Sequence, residues 1–407
     1  MDRHNDLQKE KIVVSDIHID ADGNRWAFDR EKQAVIKLDE GFRRFRYVKG
    51  VTESGINLYR PAVETYLDND VIWIGSVSQP DLLKYDIKTN SFSHIANPLI
   101  DNNESQALYD VMKYKQKLFV LARTFKNCSY VFDTETATYT AIHLADKNAE
   151  MFEKTFSFYC LKGNTLYLPL LGENKIVKYC LDEISENMVY SIMTLPSEIK
   201  IVCMSMQDDN LYISSRGDSD IHIFNADGSY TKINGYDKRE GVDFYCQIIC
   251  GDEYIIALPR HGESVLIYNK STNKVDYVRL PYSDEVIKSG IQGSLCHEYY
   301  ISKEDDMLYL FPWEYEFISQ INLKTLAIET FDACIDKKDY ALYKYDNMKH
   351  HMKLNGIPNF ICNENEYIDM TKYLFIVTDG IDREKYLSNH QDVPTGEKIY
   401  LSGKDYA

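Results

Sequence analysis

Long hydrophobic runs and leader segments are missing from the sequence. No stretch approaches the roughly 18 apolar residues that a membrane-spanning helix needs. The first residues, MDRHNDLQKEKIVV, contain neither the apolar core of a signal peptide nor its small-residue cleavage site. These absences predict a cytoplasmic protein that does not insert into a membrane.

Cysteine pairs are also missing, although the chain has nine cysteines. The number is odd and the residues are scattered. Only Cys246 and Cys250 are close, in the strand-like segment CQIIC rather than in a CxxC turn. We expect most cysteines to be small buried side chains in a reducing compartment, which agrees with a cytoplasmic location.

Positive charge is in short supply. The chain has 46 Lys and Arg against 63 Asp and Glu, which gives a formal net charge of −17. A field of this sign repels nucleic acid phosphates and anionic lipids, so we expect neither as a partner. The acidity is explained either by solubility alone or by an acidic recognition surface.

Common catalytic motifs are absent. The sequence has no P-loop, Gly-x-Ser-x-Gly elbow, dinucleotide fingerprint or HExxH helix. Apolar stripes of helical period are absent as far as residue 330. Helical solenoids and the enzyme classes that carry these motifs are therefore disfavoured.

Tyrosine is abundant, with 32 copies beside 17 Phe, and aromatic residues favour strands. Seven segments share a hydrophobic triplet, a polar loop and a second apolar run that ends, in most of them, in Asp or Asn. They are RWAFDREKQAVIKLD (25–39), IWIGSVSQPDLLKYD (72–86), LFVLARTFKNCSYVFD (118–133), LYLPLLGENKIVKYC (166–180), LYISSRGDSDIHIFN (211–225), YIIALPRHGESVLIYN (254–269) and LYLFPWEYEFISQIN (308–322). Each has an aromatic residue at its first or second position. These residues are Trp26, Trp73, Phe119, Tyr167, Tyr212, Tyr254 and Tyr309. The successive separations are 47, 46, 48, 45, 42 and 55 residues, which is a regular repeat.

The surroundings of each segment predict four strands per repeat. An apolar run and a tight turn such as Asp22-Gly23 or Asp208-Asp209 come before it, and an Asx- or Thr-containing turn and another strand-like run follow. Four antiparallel strands form one blade of a β-propeller, and closure into a ring removes exposed sheet edges. We therefore predict an all-β, seven-bladed β-propeller over residues 1–337. Its blades are expected near 11–54, 59–105, 106–153, 154–200, 201–242, 243–292 and 293–337.

Two of the predicted blades resemble known repeats. IHIDADGNRWAFDREKQAVIKLD in blade 1 and NLYISSRGDSDIHIFNADGSY in blade 5 are similar to the repeats of NHL-type and streptogramin-lyase-type propellers. The glycine pairs of kelch repeats and the Gly-His and Trp-Asp pairs of WD40 repeats do not occur. The resemblance implies a propeller fold and no particular activity.

Residues 338–407 break the repeat and are predicted to form a small, partly helical extension. The segment KKDYALYKYDNMKHHMKLNG predicts a helix that ends at Gly356, with Pro358 just beyond it. We expect the extension to pack on the propeller and brace its closure. The alternative is that its apolar face docks a partner protein.

The ligand face of such a ring is expected at the loops between second and third strands and at the entries to the innermost strands. Three arginines, Arg123, Arg216 and Arg260, fall at nearly equivalent loop positions. Converging guanidinium groups would suit a carboxylate or a phosphate. The alternative is that each arginine pairs with a neighbouring acid, as Arg216 would with Asp218. The innermost-strand entries offer Asp16, His18, Glu64, Asp110, Tyr159 and Tyr245.

His261, in PRHGES, is the candidate for acid–base catalysis. Arg260 lies beside it in the sequence, and Glu263 is the carboxylate that would orient its ring. An ordinary structural histidine is the alternative.

A divalent metal site is a further alternative, although no cofactor is otherwise indicated. It would need His18, His261 and His297 to converge with Asp16 or Glu298, across blades that are neighbours in a closed ring.

The loop PWEYEF (312–317) differs in kind from the others, because its aromatic residues alternate with acids. One face carrying Trp313 and Tyr315 would form a stacking platform for a sugar or a peptide. Burial of the same side chains in the core is the alternative.

Three functions follow, of which the third is an intracellular structural subunit without a ligand. The first is a binding or scaffold propeller that recognises a small anionic molecule, a glycan or a peptide through Arg123, Arg216, Asp218, Arg260, Trp313, Tyr315, His18 and Asp16 on its loop face. The second is a lyase or hydrolase that uses His261 as acid and base, with an arginine holding a carboxylate substrate. Because no strong catalytic pair is evident, we favour the first.

Overall fold

A computed structural model gives the architecture of the chain. It describes residues 7–51, 62–76, 80–100, 109–156, 159–261, 264–281, 298–302, 304–312, 317–340 and 342–343. Their strands form seven antiparallel sheets, each built from four consecutive strands, and the first sheet gains two further strands. The predicted seven-bladed propeller is therefore confirmed.

Short segments of the repeat become the strands of each blade. Blades 1 to 3 contain β2 (Val14–Ile19), β3 (Arg25–Asp29), β4 (Ala34–Leu38) and β5 (Arg44–Gly50); β6 (Ala62–Asp68), β7 (Val71–Ser76), β8 (Leu82–Asp86) and β9 (Ser91–Ile95); and β10 (Tyr109–Tyr114), β11 (Lys117–Ala122), β12 (Ser129–Asp133) and β13 (Thr138–Ile142). Blades 4 and 5 contain β14 (Cys160–Lys162), β15 (Thr165–Pro169), β16 (Lys175–Cys180) and β17 (Tyr190–Thr194); and β18 (Ile201–Gln207), β19 (Asn210–Ser215), β20 (Ile221–Phe224) and β21 (Tyr230–Ile233). Blades 6 and 7 contain β22 (Tyr245–Cys250), β23 (Tyr254–Pro259), β24 (Ser264–Asn269) and β25 (Lys274–Arg279); and β26 (Glu298–Ser302), β27 (Met307–Phe311), β28 (Phe317–Asn322) and β29 (Ile328–Asp332).

The order of burial within a blade explains the sequence pattern. First strands contact each other between blades 1 and 2, 2 and 3, 4 and 5, 5 and 6, and 7 and 1, which places them around the central channel. Second strands such as β7, β11 and β19 are buried almost throughout, since the adjacent blades cover both of their faces. Fourth strands such as β9 alternate between buried and exposed residues, as expected at the rim.

The predicted turns carry the conformations that their residues favour. Asn69, Asp208, Asp209 and Asp306 adopt positive φ in the hairpins between first and second strands, as does Gly23 in blade 1. Asx side chains close the turns after the third strands of four blades: Asp86, Asp133, Asn269 and Asn322 each accept backbone N–H groups two or three residues on, at 2.7–3.0 Å.

The hydrophobic core is divided among the blade interfaces. The described residues form seven clusters of buried side chains, and each cluster joins two neighbouring blades, including blades 7 and 1. The aromatic residues of the repeat belong to these clusters. Trp26, for example, packs between blades 1 and 2, and Trp73 packs between blades 2 and 3. Each blade is therefore stabilised by its neighbours, as in other repeat proteins.

Ring closure uses two added strands. After blade 7, β30 (Cys334–Asp336) pairs in parallel with β5, and β1 (Leu7–Lys9) then pairs antiparallel with β30. Blades 1 and 7 keep four strands of their own, as expected, and the extra pair joins the two ends of the chain at the rim of blade 1.

The start of the C-terminal extension packs on the ring. Residues 337–340 and 342–343 are helical, and the rest of the predicted extension lies outside the described residues. Tyr343 is fully buried, its ring lies 5.5 Å from that of Phe45, and its hydroxyl donates to Asp29. In the part of the chain that the structure describes, no helix is both long and apolar enough to cross a membrane.

Candidate functional site

The repeat places an arginine directly after the second strand in four blades. Arg123, Arg216 and Arg260 follow β11, β19 and β23, and Arg30 follows β3 in the same way. In blades 1, 5 and 6 the backbone N–H of this arginine donates to a carbonyl at the start of the same blade, at 2.7–2.8 Å. The equivalent positions inferred from the sequence are therefore equivalent in space, and Arg30 is a fourth member that the sequence reasoning did not group with the others.

Two of these arginines are positioned by aspartates. Arg123 bonds Asp110 through Nε, at 3.1 and 3.0 Å, and through Nη2 at 2.6 Å. Arg216 bonds Asp243 through Nε at 2.7 Å and Nη2 at 3.1 Å, and Nη1 of Arg260 lies 3.7 Å from the same carboxylate. The alternative of pairing with acids therefore describes this geometry, although the partner of Arg216 is Asp243 of the next blade.

The paired arginines keep one edge available. The side chains of Arg123 and Arg216 are 37% and 42% exposed, whereas their aspartates are only 6% and 11% exposed. No described residue accepts a hydrogen bond from Nη1 of either arginine. Each aspartate thus holds its guanidinium by one side and leaves the other side to solvent, which is a fixed orientation for recognising an oxyanion.

The other predicted site residues have different surroundings. Asp218 lies 3.5 Å from Nζ of Lys238 and 3.8 Å from Nε2 of His222, and it is not a partner of Arg216. The backbone N–H of His261 donates to the carbonyl of Asp243 at 3.2 Å. Four predicted residues lie outside the described residues, namely Glu263, His297, Trp313 and Tyr315.

Acidic side chains line the channel wall of blades 7, 1 and 2. Oδ2 of Asp16 accepts the backbone N–H of Thr65 at 2.6 Å, and Oε2 of Glu64 accepts that of Val111 at 3.1 Å. Glu298 is hydrogen-bonded by the backbone of Asp16. In each case a carboxylate on one innermost strand binds the innermost strand of the next blade, so these acids link blade 7 to blade 1, blade 1 to blade 2 and blade 2 to blade 3.

β-Bulges lie beside two of these acids. The pairing register shifts beside Asp16 in β2 and beside Glu64 in β6, and Asp16 itself has a φ of 21°. Blades 5 and 6 carry bulges beside Cys203 and Cys246, in the same part of their innermost strands. Bulges are a common means of directing a side chain beside a functional site.

Burial raises the pKa of these acids. The pKa of Asp16 rises to about 6 and that of Glu298 to about 8 because both are largely enclosed by protein. The pKa of Glu64 lies well above its usual range, through burial and then through the charges of Asp110 and Asp16. Near neutral pH, Glu298 is therefore mainly protonated and Asp16 is mainly ionised.

Arg30 supplies the buried positive charge among these acids. Its residue exposure is 4%. Burial lowers the pKa of its guanidinium to about 10, while the charges of Glu298, Asp16 and Glu64 oppose that effect. Arg30 therefore stays charged at neutral pH and offsets the negative charge of the wall.

His18 is held in the same wall. Its Nε2 lies 2.8 Å from Oγ1 of Thr65, and burial lowers its pKa to about 4, so the ring is neutral near pH 7. Thr65 is 1% exposed, so its hydroxyl is not an accessible nucleophile. Tyr159 and Tyr66 complete this side, with their hydroxyls 2.8 Å apart and 3.3 and 3.2 Å from Oε2 of Glu64.

Thiols lie on the innermost strands of blades 4 to 6, and those of blades 4 and 5 contact the next blade. Sγ of Cys160 lies 3.4 Å from the carbonyl of Met204 in blade 5, and Sγ of Cys203 lies 3.8 Å from that of Tyr245 in blade 6. Burial raises the pKa of Cys160 to about 12 and that of Cys203 well above its usual range, so both are neutral thiols. The seven described cysteines are all free.

A metal centre does not form among the described residues, since no three His, Cys, Asp or Glu side chains are grouped as ligands there. His18 and Asp16 both line the channel wall of blade 1, and the third predicted ligand, His297, lies outside the described residues.

Comparison with known proteins shows similarity in fold but none in sequence that identifies a family. No protein-family model matches the chain, and no curated protein sequence matches it. Among solved structures, streptogramin B lyase matches with a TM-score of 0.53 and 14% identity, over 75% of this chain and 94% of that one. The dihydro-heme d1 dehydrogenase NirN in complex with DHE matches with a TM-score of 0.52 and 11% identity, over 79% and 66%. YCF48 bound to D1 peptide matches with a TM-score of 0.52 and 8% identity, over 75% and 93%. The chain is a seven-bladed β-propeller, and its likeness to these proteins extends to the fold.

Proposed function

We propose that the protein is a ligand-binding propeller that holds a small anionic molecule at the channel mouth, on the face of the second-to-third-strand loops. The observation that carries this proposal is the pair of arginines, Arg123 and Arg216, each fixed by a buried aspartate and each exposing its other edge. Guanidinium groups oriented in this way bind carboxylate and phosphate oxygens with high geometric specificity.

The charge state of the channel wall supports an anion despite the acidic sequence. The pKa of Glu298 is about 8, so its side chain is mainly neutral at pH 7. Burial also raises the pKa of Glu64, and the charge of Arg30 offsets that of Asp16. We expect anion binding to weaken as the pH rises through about 8, because Glu298 then gains a negative charge.

The similar structures support a binding role only at the level of the fold. A lyase and a dehydrogenase use this architecture, and so does YCF48, whose structure holds a peptide. A cytoplasmic location and contact with a protein partner through residues 338–407 belong to the proposal on sequence grounds alone.

Binding is better supported than the enzymatic alternative. The orienting carboxylate expected for His261, Glu263, lies outside the described residues. His18 has a pKa of about 4 and is therefore a weak base at neutral pH.

Isothermal titration with succinate, citrate, glucuronate and inorganic phosphate tests the proposal. We expect at least one of them to bind saturably. The double variant Arg123→Gln/Arg216→Gln should weaken that binding by about tenfold or more, since a charge-assisted hydrogen bond contributes about 1.5–3 kcal/mol.

Two controls keep the test specific. Arg46→Gln removes a 74% exposed arginine from the fourth strand of blade 1, β5, and should leave the affinity unchanged. Because the loss of Arg123 leaves Asp110 buried without its partner, Asp110→Asn/Arg123→Gln should restore the fold without restoring affinity. Undiminished affinity in the folded double-arginine variant would refute the proposal.

A further inference from the structure

A small cavity lies between blades 6 and 7, at the opposite end of the strands from the arginines. Its volume is about 200 Å³, and its walls come from the first hairpins of the two blades and the end of β28. Its lining includes the carboxylates Asp252, Glu253 and Asp306 and the apolar side chains Ile256, Ile301 and Leu323. Tyr254 begins β23 and Arg260 follows its end, so roughly 20 Å separates this cavity from the loop face.

The inner wall of the cavity is apolar. Ile256 and Leu323 are 1% and 4% exposed and belong, with Ile301, to the hydrophobic cluster between blades 6 and 7. Ligand pockets for drug-sized molecules usually measure about 300–1,000 Å³. This cavity is therefore of a size for one short aliphatic chain, whose burial against these side chains is favourable.

The rim of the cavity is acidic. It carries three carboxylates and one lysine, Lys324, whose charge interacts with Glu253 as well as with its partner Asp306. Asp252 and Glu253 are exposed in the turn between β22 and β23, and within the described residues no ion pair involves either of them. Asp252 receives only a long contact, 3.5 Å, from Nε2 of Gln207. The third carboxylate, Asp306, already pairs with Lys324.

We propose that this cavity binds a short primary alkylammonium ligand, with its alkyl chain between blades 6 and 7 and its ammonium group at Asp252 and Glu253. The apolar wall fits the stem of such a ligand, and the two carboxylates without ion pairs complement its charge. The site is separate from the anion site of the loop face in both position and charge.

Titration with n-pentylammonium, followed by NMR of isoleucine methyl groups, tests this proposal. Saturable shifts are expected at Ile256 and Ile301. The variant Asp252→Asn/Glu253→Gln should weaken binding about threefold to tenfold, because partly exposed ion pairs contribute modestly. Binding should also weaken as salt is added.

The matched control is Asp208→Asn/Asp209→Asn. These two acids occupy the equivalent hairpin of blade 5, and both have a positive φ, which Asn tolerates. Their substitution changes the net charge of the protein by the same amount as Asp252→Asn/Glu253→Gln. This control should bind n-pentylammonium as the unmodified protein does. An equal loss in the control, equally tight binding of n-pentanol, or shifts that do not saturate would each overturn the proposal. The arginine variants of the loop face should not affect the result, so the two proposals fail independently.

Discussion

The channel wall has two unlike halves. In blades 7, 1 and 2, carboxylates on the innermost strands accept backbone N–H groups of the next blade, at 2.6 Å for Asp16 and 3.1 Å for Glu64. In blades 4 and 5, the thiols of Cys160 and Cys203 approach backbone carbonyls of the next blade, at 3.4 and 3.8 Å. The innermost strands thus link neighbouring blades by two kinds of chemistry.

The two halves should respond differently to their surroundings. A carboxylate forms strong hydrogen bonds but carries an ionisation cost when it is buried. A thiol is a weak donor and packs as a small hydrophobic group. We call blades 7, 1 and 2 the acid half and blades 4 and 5 the thiol half. We expect the stability of the acid half to depend on charge balance and pH, and that of the thiol half to depend on packing.

The largest expected effect comes from removing the cation of the acid half. Arg30→Met keeps an apolar stem but leaves Asp16 and its neighbours without their buried positive charge. Breaking a buried charge pair typically costs about 3–5 kcal/mol, so unfolding by urea at pH 8 should show a loss of about 3 kcal/mol or more. Arg46→Met, at an exposed arginine, should change stability by less than about 0.5 kcal/mol. A loss below about 1 kcal/mol for Arg30→Met would show that the acid half is not held by charge balance.

The second effect is a pH dependence confined to the acid half. Because the pKa of Glu298 is about 8 in the folded chain and near 4.3 when unfolded, the folded state holds its proton more tightly. The contribution of Glu298 to stability should therefore be complete below about pH 4.3, fall as the pH rises toward 8, and then level off.

Glu298→Gln should remove this contribution. The variant should be more stable than the unmodified protein at pH 9, by roughly 1–3 kcal/mol, and close to it at pH 5. Asp182→Asn is the control, because the pKa of that exposed carboxyl is lowered to about 2 by Lys115. An unchanged pH profile in Glu298→Gln would contradict the assignment.

The smallest effect is expected in the thiol half. Cys203→Ala removes a buried sulfur atom that is 1% exposed, and should cost about 1 kcal/mol through lost packing. The difference between variant and parent should be the same at pH 5 and pH 9, as measured by urea unfolding, since the thiol remains neutral throughout. If the stability difference between Cys203→Ala and the parent changed with pH, the thiol half would respond to pH as the acid half does, and the contrast between them would fail.

The repeat made the blades predictable because each blade depends on residues close in sequence. The register of Arg123, Arg216 and Arg260 followed from the same alignment. The partner of Arg216 did not, since Asp243 lies 27 residues later and meets it only through the packing of one blade on the next. Glu298 and Asp16 are likewise brought together only when blades 7 and 1 close.

Local irregularities also escaped the sequence. The bulge at Asp16 leaves no mark in the alternation of VSDIHI, although it shifts the pairing register and gives Asp16 a positive φ. The added strands β1 and β30 are three residues each, too short for a pattern to show.

The added strands β1 and β30 at the rim of blade 1 determine when blade 1 is completed during synthesis at the ribosome. Blade 1 can form its four strands early, but its outer edge stays open until residues 334–336 have been made, after all seven blades. During that time β5 presents unpaired backbone groups. A nascent chain stalled before residue 334 should therefore be more prone to aggregation than one released just after residue 343.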